Sequence, residues 1–245
     1  MEKNYQFIVV EKKGKISIIK FNRHEKKNAL SEAMRSEIID ALNILKDEKR
    51  IKAVIFYGGE EIFSAGFDRD EVQAVVQGKG DYQQFIDANH LFHQTIFEFP
   101  KLLIAAINGY ALAGAFDLTV ICHLRVASKD ALFGHPEIRF GACPLLFPYM
   151  TLVGRGKALE ITLNTSTKET FLTAEEAYRL NIVNKLVEKE KVLDEAINLA
   201  KEITQSPEYA VAQLLQVNNV FFDQVKTFDT EIKTILKSMT KLLGL

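Results

Sequence analysis

Apolar positions along the chain switch between two periods. In residues 5–21, YQFIVVE and KISIIKF are rich in β-branched residues with partial alternation, and Gly14 lies between them. That pattern predicts two strands around a turn. A basic, turn-like stretch, 22-NRHEKKN-28, follows. The spacing then lengthens in ALSEAMRSEIIDALNILKDEK, where Met34, Ile38, Leu42 and Leu45 recur at helical intervals and Ser31 is placed to cap. IKAVIFYGG (51–59) reads as a short apolar strand ending in a glycine pair, and FSAGFDRDEV (63–72) turns into a further helix. Helical spacing resumes over 85–99 and stops at Pro100. LLIAAING (102–109) reads as a buried strand, a helix begins near Ala113, and LRVAS (124–128) is another strand. From Val153 onward GRGKALEITLN, TAEEAYRLN and VLDEAINLAKEITQ carry apolar stripes, and a last helical stretch runs from Glu208 towards Leu243.

Strand and helix alternate through the first 140 residues and helices dominate the rest, which predicts an α/β fold with a helical C-terminal region. The expected division is a core over 1–190 and a helical region over 191–245. A long apolar helix at the end of a chain either serves assembly or packs on its own domain.

Composition narrows the function classes. The chain has 245 residues, 47% apolar and 26% charged, with 31 basic against 32 acidic residues and a net charge of −1. That balance disfavours nucleic acid and anionic membrane as partners. No run of about 18 apolar residues predicts a membrane span, and the N-terminus lacks the apolar core of a signal peptide. Cys122 and Cys143 form no CxxC pair and are too few for a disulfide framework, so a cytoplasmic location is expected, with both packed in the interior.

One chemical pattern occurs twice. The strand over 51–57 runs into 63-FSAGFD-68, and the strand over 102–108 runs into 109-GYALAGAFD-117. In each, a buried strand ends, small residues follow and a helix starts. Free N–H groups at a helix start attract anions, and small residues let a ligand approach the backbone. Two such turns on neighbouring strands aim two donors at one oxygen, the geometry that stabilises charge developing on a carbonyl. Neither turn is a GxGxxG fingerprint or a phosphate loop. Two acids stand nearby: Asp117, in a first helical turn where the macrodipole alone favours an acid, and Glu137, twenty residues on and following a proline.

In combination, 22-NRHEKKNAL-30, 51-IKAVIFYGG-59, 63-FSAGFD-68, 104-IAAINGYALAGAFDLTVICHLRVAS-128, 133-FGHPEIRFG-141, 153-VGRGKALEITL-163 and 173-TAEEAYRLNIVNKLV-187 resemble the crotonase superfamily, the enoyl-CoA hydratase/isomerase family, in order and spacing. The resemblance implies repeated ββα units wound as a spiral, a helical C-terminal region, and homotrimers or dimers of trimers. It implies acyl-CoA thioester substrates that bring coenzyme A with them, so no separate cofactor and no metal are expected. By the same resemblance the oxyanion-hole N–H groups are those of Phe67 and Gly114. Coenzyme A lies along Lys26, Lys27 and Ala29, with Ala65 and Asp68 nearby.

The acids map to Asp117 and Glu137. In the hydratases of the family both positions are glutamate, one taking a proton from water as it attacks C3 and the other helping deliver a proton to C2. Glu137 keeps the type. Asp117 is one methylene shorter, and a displaced group of that kind costs about 10²-fold in rate. Dienoyl-CoA isomerases of the family pair Asp with Glu but carry a further Asp where Leu145 stands, and other isomerases use the second position alone. His135, Tyr110 and His123 read as structural.

The resemblance breaks after Glu137. The family's glycine pair is absent from 141-GACPLLFPYMTLVG-154, where Leu145, Leu146 and Phe147 imply a reshaped apolar floor to the acyl pocket. The second turn reads AGA rather than GGG, and the chain ends in KSMTKLLGL instead of the family's usual final stretch. Three readings follow: a hydratase, a double-bond isomerase working through Glu137, and an acyl-CoA-binding module that has lost its chemistry.

Overall fold

The computed structural model describes residues 3–224. The first two strands, β1 (Ile8–Lys13) and β2 (Ile16–Phe21), pair antiparallel across Gly14, whose φ of 65° is the left-handed conformation that favours glycine. A 3₁₀ turn at His24–Lys26 leads into α1 (Glu32–Asp47), capped by Ser31, whose Oγ accepts from the Met34 N–H at 3.3 Å. Then come β3 (Ala53–Tyr57), α2 (Arg69–Val76), α3 (Tyr82–Phe97), β4 (Leu102–Ile107), β5 (Tyr110–Leu112), α4 (Gly114–Ile121), β6 (Leu124–Ser128) and β7 (Leu132–Gly134). A 3₁₀ turn at Pro136–Phe140 precedes α5 (Phe147–Val153), α6 (Arg155–Asn164), β8 (Leu172–Thr173), α7 (Ala174–Arg179), β9 (Lys185–Val187), α8 (Val192–Ile203) and α9 (Glu208–Gln224).

A six-stranded sheet runs in the order β1-β2-β3-β4-β6-β9, parallel from β2 onward. The short strands β5, β7 and β8 form a second sheet. A strand of the large sheet followed by one of the small sheet and then a helix recurs at β4-β5-α4, which is the ββα unit of the expected spiral.

Alternate residues of the central strands enter two different cores. Val54, Phe56, Leu103 and Ala105 face α1, α3 and α4, while Ala53, Ile55, Leu102 and Ile104 face Val192, Ala196, Ile197 and Ala200 of α8. Burial on both faces is why these strands read as unbroken apolar runs. The helix α8 begins just past the expected boundary at residue 190 and covers one whole face of the sheet. Tyr209, Leu214 and Val217 of α9 are exposed, and the rest of that predicted helix, towards Leu243, lies outside the described residues. Among the described residues no helix is long and apolar enough to cross a membrane.

Of the side chains expected to be structural, Cys122 is buried and its thiol is pushed up to about 12 by that burial. Cys143 is only half-buried, a correction to the expected interior position: it lies in the irregular chain before α5, where no strand or helix covers it. His123 Nδ1 accepts from the Leu103 N–H at 2.9 Å, and burial lowers its pKa to about 4, which keeps the ring neutral for that role.

Since α8 closes one face of the sheet, Ile197→Ala is expected to cost about 2–5 kcal/mol in urea unfolding. A loss below about 0.5 kcal/mol, the range of ordinary surface substitutions, would mean α8 is not part of the core.

Candidate active site

The first turn is built by the segment before α1. Asn28, buried with a φ of 51°, donates through Nδ2 to the carbonyls of Gly58 (2.7 Å), Ile62 (3.2 Å) and Phe63 (3.2 Å). Ser64 Oγ donates to the Asn28 carbonyl at 2.7 Å and accepts from the Gly66 N–H at 3.1 Å. The Leu30 N–H donates to the Gly66 carbonyl at 2.8 Å. Backbone groups alternate in direction along an extended segment, so the Phe67 N–H points away from Leu30.

The Ser64 N–H donates to the Tyr110 carbonyl at 3.0 Å and the Leu112 N–H to the Ser64 carbonyl at 3.1 Å, tying the two turns together. Ala113, with φ 51° and ψ −133°, then reverses the chain into α4. Two glycines permit the close approach. A Cβ on Gly66 would lie 2.6 Å from the Leu112 carbonyl oxygen, and a Cβ on Gly114 would lie 2.5 to 2.8 Å from the Phe67 ring. Among the described residues neither the Phe67 N–H nor the Gly114 N–H has an acceptor in the protein.

Arg35 braces this region from behind. It is 1% exposed, donates to the Leu30 carbonyl, lies 3.4 Å from Glu71 Oε2, and places its guanidinium 5.2 Å from the centre of the Phe67 ring. His93 meets the same ring edge-on at 5.7 Å.

The two acids are linked through Tyr149 and His135. Asp117 is 4% exposed in the first turn of α4. Its Oδ1 accepts from Tyr149 Oη at 3.2 Å and its Oδ2 from the Leu145 N–H at 3.4 Å. Both donors belong to the divergent 141–154 segment, in which Leu145, Phe147 and Tyr149 are buried. Glu137 sits on the 3₁₀ turn after β7. Its Oε1 lies 3.0 Å from His135 Nδ1, and its Oε2 is buried with no partner among the described residues. The His135 ring stacks on Phe116 at 5.0 Å and meets Tyr149 edge-on at 5.2 Å. His135, read from the sequence as structural, thus contacts an acid directly. Among the described residues no three His, Cys, Asp or Glu side chains gather as metal ligands do.

The residues expected along coenzyme A are spread from surface to interior. Lys26 is exposed and paired with Asp70 at 3.0 Å, Lys27 is exposed in a left-handed turn, Ala29 is buried and Ala65 half-buried. Asp68 is buried, accepts from the Asp70 N–H at 2.9 Å to cap α2, and pairs with Arg23 Nη1 at 2.5 Å. Burial pushes the Asp68 pKa up, but the Arg23 and backbone bonds outweigh it and hold the carboxyl below its usual value. A separate cavity of about 330 Å³ between the start of β4 and α9 shares none of these residues.

Because Tyr149 holds a buried carboxylate oxygen, Tyr149→Phe is expected to lower stability by about 1–3 kcal/mol, measured by denaturant unfolding. An unchanged midpoint would show that this bond carries no weight.

Known proteins share the arrangement of the chain. A profile of the enoyl-CoA hydratase/isomerase family matches residues 11–240. A probable mitochondrial enoyl-CoA hydratase of Dictyostelium discoideum is 32% identical over 216 residues, 87% of this chain and 75% of that protein. The crotonyl-CoA hydratase of Syntrophomonas wolfei is 31% identical over 211 residues, 84% of this chain and 79% of that protein. The crystal structure of an enoyl-CoA hydratase/isomerase from Xanthobacter autotrophicus Py2 superposes with a TM-score of 0.87 at 28% identity, covering 96% of this chain and 88% of that one. With ββα units, two glycine turns drawn together, a buried Asp117 and a half-buried Glu137 beside them, and a family profile that matches residues 11–240, the chain belongs to the enoyl-CoA hydratase/isomerase family.

Proposed function

We propose that the protein adds water across the 2,3 double bond of an enoyl-CoA thioester. The observation that carries this reading is the pair of unengaged N–H groups, Phe67 and Gly114, on turns held together by hydrogen bonds beside a buried Asp117 and a half-buried Glu137. The thioester oxygen accepts from both N–H groups. As water adds to C3, electrons pass through C2 to that oxygen, and the donors stabilise the enolate more than the neutral carbonyl. Glu137 Oε2 takes the proton from the water as it attacks C3 and returns it to C2, and Asp117 orients the water and helps that delivery. Lys26, Lys27, Ala29, Ala65 and Asp68 line the path of coenzyme A, which arrives with the substrate, so the reaction needs no further cofactor or metal. The exposed apolar residues of α9 fit assembly into trimers, and two unpaired cysteines fit a reducing cytoplasm.

One observation favours a second reading. Both Asp117 oxygens are held by the 141–154 segment, whereas Glu137 keeps one oxygen open. A single open carboxylate suits a double-bond isomerase, in which Glu137 removes a proton from one carbon and returns it to another.

Purified protein should bleach the conjugated absorbance of crotonyl-CoA, and Glu137→Gln should lower kcat by about 10²–10⁴. Asp117→Asn separates the readings, lowering hydration but sparing isomerisation of 3-enoyl-CoA. Absence of hydration across 2-enoyl-CoAs of several lengths, with isomerisation intact, contradicts the hydratase; absence of both leaves a binding module.

A further inference from the structure

His135 is a member of the acid cluster to which the reaction above assigns no task. It is fully buried, its Nδ1 faces Glu137 Oε1 at 3.0 Å, and its Nε2 has no partner among the described residues. An ionised carboxylate only accepts, so Nδ1 carries the proton in this bond. Every element packed on the ring contributes a distinct group. Its own 3₁₀ turn supplies Glu137; α4 supplies the stacked Phe116 ring and the charge of Asp117; α5 supplies the Tyr149 phenol; and the end of α6 supplies the Thr165 carbonyl, which accepts the His135 backbone N–H at 2.7 Å. The titratable groups facing the imidazole are thus two carboxylates and one phenol.

We propose that His135 is the positioning residue of the acid pair: it holds Glu137 Oε1, so that Oε2 is the oxygen presented to the reacting atoms, and as an imidazolium it offsets the buried charge of Glu137 and Asp117. The inference rests on the assignment of Glu137 as the acid/base. Two neighbouring carboxylates repel each other unless a cation offsets them. An imidazolium in contact with Glu137 and within the field of Asp117 supplies that offset without touching substrate. Rigid stacking on Phe116 and the backbone bond to Thr165 leave the ring no room to turn away.

The sign of the pH dependence follows. Burial, the largest influence on His135, disfavours its charged form, but the charge and hydrogen bond of Glu137 and the charge of Asp117 outweigh it and raise its pKa above 6.5. The imidazolium is therefore present below that raised value and lost as pH rises through it. Above that value the ring no longer offsets the charge of the acid pair, and a neutral donor in its place leaves no imidazole to titrate there.

The test is the pH profile of kcat/KM for enoyl-CoA hydration by wild type and His135→Gln, which keeps a donor but no charge. Wild type is expected to lose activity as pH rises through the raised His135 value, and the variant to lack that alkaline limb, with its kcat falling and KM little changed. The same alkaline limb in the variant overturns the proposal. If His135→Gln does not fold, ¹⁵N spectra of histidine-labelled wild type decide, with the His135 signal identified by its response to Glu137→Gln: a cationic ring at about pH 6 is expected, and a neutral one overturns the proposal. Wild-type turnover by Glu137→Gln would instead overturn the acid/base assignment itself, so the two failures are distinguishable.

Discussion

The site depends on how closely the chain segments after β3 and β4 approach each other. With only hydrogen at the Gly114 Cα, the Phe67 ring lies directly against it, and with only hydrogen at Gly66 the Leu112 carbonyl does the same. A side chain at Gly66 would meet the Leu112 backbone carbonyl and force the turns apart, and one at Gly114 would displace the Phe67 ring. Everything else around them serves to hold that distance: the Ser64 bonds that stitch the turns, the Asn28 amide that gathers three carbonyls, and the buried Arg35 behind the Phe67 ring. The strands beneath are buried on both faces by α1, α3 and α4 on one side and α8 on the other, so the platform is rigid where the turns leave it.

Opposite the donors stands a cluster of buried charge. Removing a carboxylate from water is costly unless it is hydrogen-bonded or paired. Asp117 finds the Tyr149 hydroxyl and the Leu145 N–H; Glu137 finds His135 on one oxygen and leaves the other open. The divergent 141–154 segment thus has a second task beyond shaping an apolar floor. By placing Leu145, Phe147 and Tyr149 inward, it replaces a glycine pair with a clamp on the shorter acid. Asp117 is thus held at both oxygens, whereas Glu137 Oε2 is buried without a partner among the described residues.

Much of this was legible in the sequence where local chemistry dictates structure. The Ser31 cap, the helical stripe of α1, the paired strands around Gly14 and the two small-residue turns stand as read. The strands β7, β8 and β9 were not read, because two or three residues carry no periodicity and pair only with segments far away in the chain. Arg35 left a signal, since it falls in helical register with Ile38 and Leu42 on the apolar stripe, where a charge needs buried partners. Tyr149 and His135 left none: the first reaches Asp117 across 32 positions, and the second matters through stacking that only the folded chain creates.

The central claim is that Phe67 and Gly114 polarise a thioester carbonyl. The direct measurement is the ¹³C chemical shift of an unreactive unsaturated acyl-CoA labelled at its thioester carbon, free and bound to the intact protein. Two hydrogen bonds to the oxygen draw electron density from that carbon, so the account predicts a downfield shift on binding. A bound ligand whose carbonyl resonates where the free ligand does would contradict it.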